Sequence, residues 1–169
     1  MQNFINKVER ISHKIYRQLS GMEEKHFQIA MGIEFRKNKI DFMREAGVEL
    51  FYETSPIGLH ELDFLITPCL DLKFPLIIEV KVTSSLTEDS RQQLRNYLRS
   101  ASLNKNTIVK EIDTGLLINF KKNEVFIEGN RKKKEVLDVE LEVWTLKKRK
   151  YSLESVSYTH LTLPTILLV

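Results

Sequence analysis

The chain has 169 residues, 42% of them apolar and 29% charged, with a formal net charge of +3. That length supports one compact core and argues against two domains, and so small a charge excess does not mark a generic polyanion binder. Cys69 is the only cysteine, which excludes an internal disulfide and a thiolate zinc cage within one chain and fits a reducing compartment.

The opening residues, MQNFINKVERISHK, are amphipathic and charged, unlike a signal peptide, and no membrane-length apolar run precedes residue 150. A soluble, cytoplasmic protein is expected. Phe4, Ile5, Val8, Ile11, Ile15 and Leu19 recur at helical spacing and stop at Ser20-Gly21, where glycine can close the helix. A second helix is predicted over about 23–39, with Phe27, Ile29, Ala30, Ile33, Phe35 and Ile40 apolar and acidic residues in its first turn.

After Gly47 the pattern becomes β-rich. Segments 48–53, 59–66 and 75–82 read as three strands of an antiparallel meander, separated by the turn residues Ser55-Pro56-Ile57-Gly58 and Thr67-Pro68. The third, PLIIEVKV, is apolar and β-branched on both faces until Glu79, as in a mid-sheet strand, so a carboxylate and an ammonium there need a cause. Segment 90–103 returns to helical spacing through Leu94, Tyr97, Leu98 and Ala101. GLLINF, within 114–120, follows an insertion-like NKNTIVKEID as a further apolar strand, and strand, helix, strand in this order predicts a right-handed parallel crossover.

EVFIEG at 124–129 and VLDVELEVWTL at 136–146 are expected to add edge strands. Two basic runs, 131–134 and 147–150, hold eight of the 26 basic residues and leave the remainder mildly acidic, as a carboxylate metal site would be. The runs read either as solvated turns or as phosphate contacts. From about residue 155, SVSYTHLTLPTILLV lacks lysine and arginine and continues no upstream pattern. The expected organisation is one domain over 1–150 and a tail, 151–169, that resembles translated sequencing-adaptor read-through; a genuine apolar C-terminal strand is the competing reading.

The chemistry concentrates on the strand pair. Asp63 lies inside ELDF, and sixteen positions later Glu79 and Lys81 share one face of IIEVK, since alternate strand residues point the same way. Two like charges side by side on apolar strands cost several kcal/mol unless a cation lies between them, and oxygen ligands favour Mg²⁺ or Mn²⁺. A lysine beside such a site can orient a nucleophilic water and stabilise charge on a phosphate, which points to phosphodiester hydrolysis. The bland alternative is a strand-edge pair with exposed heads. His13, His26, His60 and His160 have no metal-ligand spacing, and no Walker, nucleophile-elbow or Rossmann glycine pattern occurs.

Gly21-Met22-Glu23-Glu24-Lys25-His26-Phe27, Glu34 in AMGIEF, Asp63 in ELDF, Glu79 and Lys81 in IIEVK, Gln93 and Tyr97 in QQLRNYL, and GLLINF stand in a specific order and spacing. Together they resemble the GxxExxY family, a branch of the PD-(D/E)XK nuclease superfamily, over roughly 8–120. The first segment is the name-giving motif, with Phe27 where the family has tyrosine. The resemblance implies an α/β fold with a restriction-endonuclease-like core, a central mixed β-sheet flanked by helices, occupying the nuclease-like domain 1–150. It also implies a metal bound by Asp63 and Glu79, with Glu24 as the further ligand from the N-terminal helix. Gln93 then occupies a position from which such helices often reach the site, and Tyr97, one turn beyond, reads as core packing. Phe27 loses the hydroxyl but can keep the packing.

The leading expectation is therefore a Mg²⁺- or Mn²⁺-dependent nuclease, a hydrolase of DNA or RNA, with Asp63, Glu79, Lys81 and Gln93 as catalytic candidates and Glu24, Asp63 and Glu79 as metal ligands. The alternatives are a catalytically silent nuclease-fold module that binds nucleic acid or protein, and an accessory subunit of a larger complex. The expected partner is nucleic acid and not a membrane; the oligomeric state is open, a homodimer included.

Overall fold

Apolar residues at helical spacing form α1, Gln2–Leu19, and bury Phe4, Ile5, Val8, Ile11, Ile15 and Tyr16 along one face. The computed structural model describes residues 1–122, 139–147 and 150–158, with side chains described as far as 153. Just past α1, Gly21 has φ of 89°, the left-handed conformation that glycine adopts without a Cβ penalty. α2, Glu24–Lys37, closes with Lys39 at φ 55°: the Lys39 amide donates to Arg36 O at 3.1 Å and the Ile40 amide to Phe35 O at 3.0 Å. That is a Schellman closure, and buried Phe35 and Ile40 supply its apolar contact. Phe27, Met31 and Phe35 form the buried face of α2, whereas Ile29 and Ile33 are about half exposed, so two apolar residues of this helix lie outside the core.

The remaining elements in order are β1 (Phe42–Tyr52), β2 (Ser55–Ile66), β3 (Leu76–Lys81), α3 (Glu88–Ala101), α4 (Thr107–Lys110), β4 (Thr114–Phe120), β5 (Val139–Lys147) and β6 (Lys150–Tyr158). They build one six-stranded sheet in the order β1-β2-β3-β4-β5-β6, antiparallel throughout except for the parallel pair β3 and β4. The meander and the parallel crossover expected from the sequence are both present. One apolar layer joins α1 and α2 to the sheet; a second joins α3, with Leu94, Tyr97, Leu98 and Ala101, to the other face. All seven residues of β4 are buried between these layers, which accounts for its unbroken apolar run. Gly115 of β4 is required by this packing: a Cβ there would lie 2.6 Å from Leu94 Cδ1 of α3.

Four details depart from the sequence reading, the first being that β1 begins at Phe42 and not after Gly47. The β1–β2 turn is Glu53-Thr54, with Glu53 at φ 54° and Tyr52 paired to Ser55, whereas Ser55-Pro56-Ile57-Gly58 belongs to β2 and carries a register shift at Ile57. Proline and glycine there mark an irregular outer strand, not the turn itself. β5 is an interior strand, because β6 pairs along its far side, so it is not an edge. β6 also carries backbone pairing from 150 to 158, into the segment read as a tail. The 124–129 segment, the basic run 131–134, Lys148, Arg149 and everything beyond 158 lie outside the described residues.

A break in alternation positions the site. Residues two apart on a strand should share a face, yet Phe64 and Ile66 pack in the α1/α2 layer while Leu62 packs in the α3 layer. β1 changes side at the same level: Phe42 packs with the α1/α2 layer, and Ala46 and Leu50 with the α3 layer. Between them Glu45 takes φ 55°, and the pairing passes from Arg44↔Phe64 to Ala46↔Leu62 without a shift of register. The β1–β2 ribbon thus turns over at Glu45 and Asp63, and Asp63 sits at the pivot.

Candidate functional site

The β2–β3 ladder runs from Ile66↔Leu76 to Phe64↔Ile78. One step further stand Asp63 and Glu79, whose carboxylates replace the ladder. Asp63 Oδ2 accepts from the Val80 amide at 2.7 Å, and Glu79 Oε1 from the Asp63 amide at 3.4 Å. The sheet opens at this point and two carboxylates occupy the opening. From α2, Gln28 Nε2 donates to Asp63 Oδ1 at 2.9 Å and reaches Glu24 Oε1 at 3.5 Å. Lys81 Nζ stands 3.7 Å from Glu79 Oε2, with the glutamate side chain 3% exposed and the lysine 18%.

The electrostatics follow from burial. Loss of water and then the neighbouring Asp63 charge push the Glu79 carboxyl up to about 8, against the pull of the Lys81 ammonium. Asp63 is raised by burial, opposed by the Val80 amide, Lys81, Gln28 and Arg44. Glu24 is raised by burial, with Lys81 holding it down and Asp63 adding to the rise. The Tyr97 hydroxyl is pushed up to about 12 by burial, opposed by its Gln93 hydrogen bond and reinforced by the charges of Glu79 and Asp63.

These positions bring Asp63, Glu79 and Lys81 together, with Glu24 as an electrostatic neighbour. Among the described residues, no three carboxylate, imidazole or thiolate side chains are gathered into a finished metal cage. The donor set nevertheless suits a hard divalent ion: it is all oxygen, it runs from buried Glu79 to the partly exposed Asp63 and Glu24, and burial together with the Asp63 charge leaves Glu79 short of positive charge, so that its carboxyl is raised to about 8. Gln93 meets the site through Tyr97, to whose hydroxyl it donates at 2.6 Å. Glu34 pairs with Lys14 at 2.7 Å and Lys37 at 3.1 Å. Phe27 packs in a triad with Phe120 and Tyr16, with ring centroids 4.4 and 6.3 Å away, a packing role that needs no hydroxyl.

Two neighbours of the carboxylates escaped the sequence reading. Gln28 lies one helical turn after Glu24 on the same face, and that spacing was the available signal. Arg44 stands on β1 opposite Phe64, its guanidinium carbon 5.8 Å from the ring centre, and its charge favours ionised Asp63. Nothing in the local pattern ties it to a residue nineteen positions away.

A mixed sheet layered by helices on both faces, with an acidic pair and a lysine on adjoining strands at its middle, defines the restriction-endonuclease-like α/β class. The family model described as the PD-(D/E)XK nuclease superfamily matches residues 2–132, and the chain belongs to that superfamily. Neither a curated protein nor a solved structure matches it. No helix among the described residues is long and apolar enough to cross a membrane.

Proposed function

We propose that the chain is a divalent-metal-dependent nuclease of the GxxExxY branch, hydrolysing phosphodiester bonds of DNA or RNA. The observation that supports this most is the opening between β2 and β3, where the buried Glu79 and half-buried Asp63 carboxylates meet with Lys81 Nζ 3.7 Å from Glu79. Such a pair repels itself, and with Lys81 and Arg44 acting on it burial still raises both carboxyls. Asp63 and Glu79 would hold Mg²⁺ or Mn²⁺, with Glu24 as a further ligand, and the ion would supply Lewis-acid activation at a phosphate.

The chain's own groups divide the remaining work. Lys81 presents a fixed ammonium to the negative charge that develops on the phosphate and helps orient the attacking water. Gln28 fixes the rotamer of Asp63 by donating to one oxygen while the Val80 amide holds the other. Gln93 anchors Tyr97 on the α3 side by donating to its hydroxyl.

The test is incubation of purified protein with labelled single- and double-stranded DNA and RNA in Mg²⁺, Mn²⁺ or EDTA, beside Glu79→Ala. Metal-dependent cleavage lost in the variant is the expected result. A folded wild type that binds nucleic acid and cuts none of the four under any condition would replace this reading with that of a silent binding module.

A further inference from the structure

On the α3 side of the opening, a cleft of about 270 Å³ lies between α3 and the outer part of the β1–β2 ribbon. Its walls include Leu50, His60, Gln92, Gln93, Asn96 and Tyr97. The volume falls just below the range of ~300–1,000 Å³ that takes a drug-sized ligand, so it suits a single ring system better than a larger group. We propose that this cleft is a nucleobase subsite, taking one unpaired base of the strand whose phosphate lies at Asp63 and Glu79, so that the substrate is single-stranded or locally unwound. The inference rests on the nuclease reading above and deepens it.

Three observations carry it. First, the wall chemistry is that of a base reader: an aliphatic surface from Leu50, the His60 and Tyr97 rings set edge to face with centroids 6.1 Å apart, and three carboxamides that keep donors and acceptors beyond the Gln92–Asn96, Gln93–Tyr97 and Arg95–Gln92 bonds. Second, the lining carries no lysine or arginine and includes the carboxylate of Asp89, which disfavours a phosphate and leaves a neutral ring as the better occupant. Third, the cleft lies beside the carboxylates: His60 of its wall stands on β2 three positions before Asp63, about 10 Å along the strand. Tyr97 forms part of its wall, feels the charges of Glu79 and Asp63, and is held by Gln93, another wall residue. A base in the cleft would thus lie within about two nucleotide steps of a phosphate at Asp63. A paired base inside a duplex could not enter, because both its faces are stacked and its edge is occupied.

The test measures binding, not cleavage. Short single-stranded DNA and RNA, their duplexes, and a single-stranded series with one abasic nucleotide moved along the chain are titrated by fluorescence anisotropy in Ca²⁺ and in EDTA. Wild type should bind single strands more tightly than duplex and lose about tenfold to a hundredfold in affinity at one or two abasic positions, the range for one stacked base. Gln92→Ala with Asn96→Leu, both on the outer part of α3, should erase that positional loss. His60→Ala is the second variant, at an exposed strand position, should α3 tolerate the first poorly. Single strands that bind equally with and without any base would overturn the subsite while leaving Mg²⁺-dependent cleavage, and so the nuclease reading, standing. Absence of binding to every nucleic acid would overturn both.

Discussion

Glu79 and Lys81 are two positions apart on one strand face, yet they should fail in different ways. Lys81→Met keeps the aliphatic stem and deletes the charge, so the fold should survive and metal should still bind. Removing one preorganised electrostatic stabiliser typically costs ~10²–10³ in rate, and that loss is expected in cleavage assays. A folded, metal-binding Lys81→Met that cuts at the wild-type rate would remove the lysine from the chemistry. Glu79 carries a pH signature instead. In the fold it keeps its proton to about 8, against an ordinary 4.5. Between those values the native state binds more protons than the unfolded chain, so stability falls as pH rises and the loss is complete above the folded value. In EDTA the melting temperature should drop between about pH 5 and 8, reflecting a few kcal/mol. Glu79→Gln should flatten most of that slope, leaving the smaller contributions of Asp63 and Glu24, and should be more stable than wild type at pH 8. A level wild-type profile would mean that Glu79 is not desolvated as described.

At the scale of elements, the loop after β3 is tied down by a buried amide. Asn119 of β4 is fully buried; its Oδ1 accepts from the Thr83 amide at 2.9 Å, and its Nδ2 donates to Thr83 O at 3.2 Å and to Glu140 Oε2 at 2.8 Å. The same Glu140 oxygen accepts from the Leu86 amide at 3.0 Å, so β4 and β5 together hold the segment that leads from Lys81 into α3. Asn119→Ala leaves buried partners unsatisfied and should cost roughly 2–4 kcal/mol in urea unfolding; a change below ~1 kcal/mol would show that the loop is held elsewhere. Legibility divides along the same lines. Asp63, Glu79 and Lys81 could be read from the sequence because charge on an apolar strand is anomalous. Gln28 escapes notice, since a glutamine on a helix looks like surface even one turn from Glu24, the only sequence signal it gives. The ribbon's turn-over at Asp63 was hidden because it depends on Glu45 taking a positive φ, which no alternation pattern records. The β1–β2 turn was misplaced because Pro56 and Gly58 carry stronger turn signals than Glu53-Thr54, and tertiary pairing overrode them. β5 reads as an edge until β6 is known to pair with it.

For the whole molecule, net charge and metal linkage set the behaviour. The basic runs 131–134 and 147–150 should add affinity for phosphate backbones without taking part in the chemistry; replacing both with serine should weaken binding and lower its salt slope, and an unchanged slope would make them ordinary surface. The broader prediction concerns the carboxylate pair as a folding determinant. A native state that holds two mutually repelling carboxylates in a water-poor opening is under electrostatic load, and any ion bound there and not by the unfolded chain stabilises the fold by mass action, about 2.7 kcal/mol at a hundredfold excess over Kd. Mg²⁺ or Mn²⁺ should therefore raise the melting temperature in proportion to the logarithm of its concentration once above Kd, most strongly at and above pH 8, where Glu79 has lost the proton that competes with the ion. Asp63→Asn combined with Glu79→Gln keeps the shape of both side chains while removing the charge, so this variant should be at least as stable as wild type in EDTA and insensitive to metal. Differential scanning fluorimetry and calorimetric titration on the same two proteins check this, with no substrate present. A wild type that shows neither a heat of binding nor a shift at millimolar Mg²⁺ and Mn²⁺ would mean that the opening is balanced by its own protons, Lys81 and Arg44.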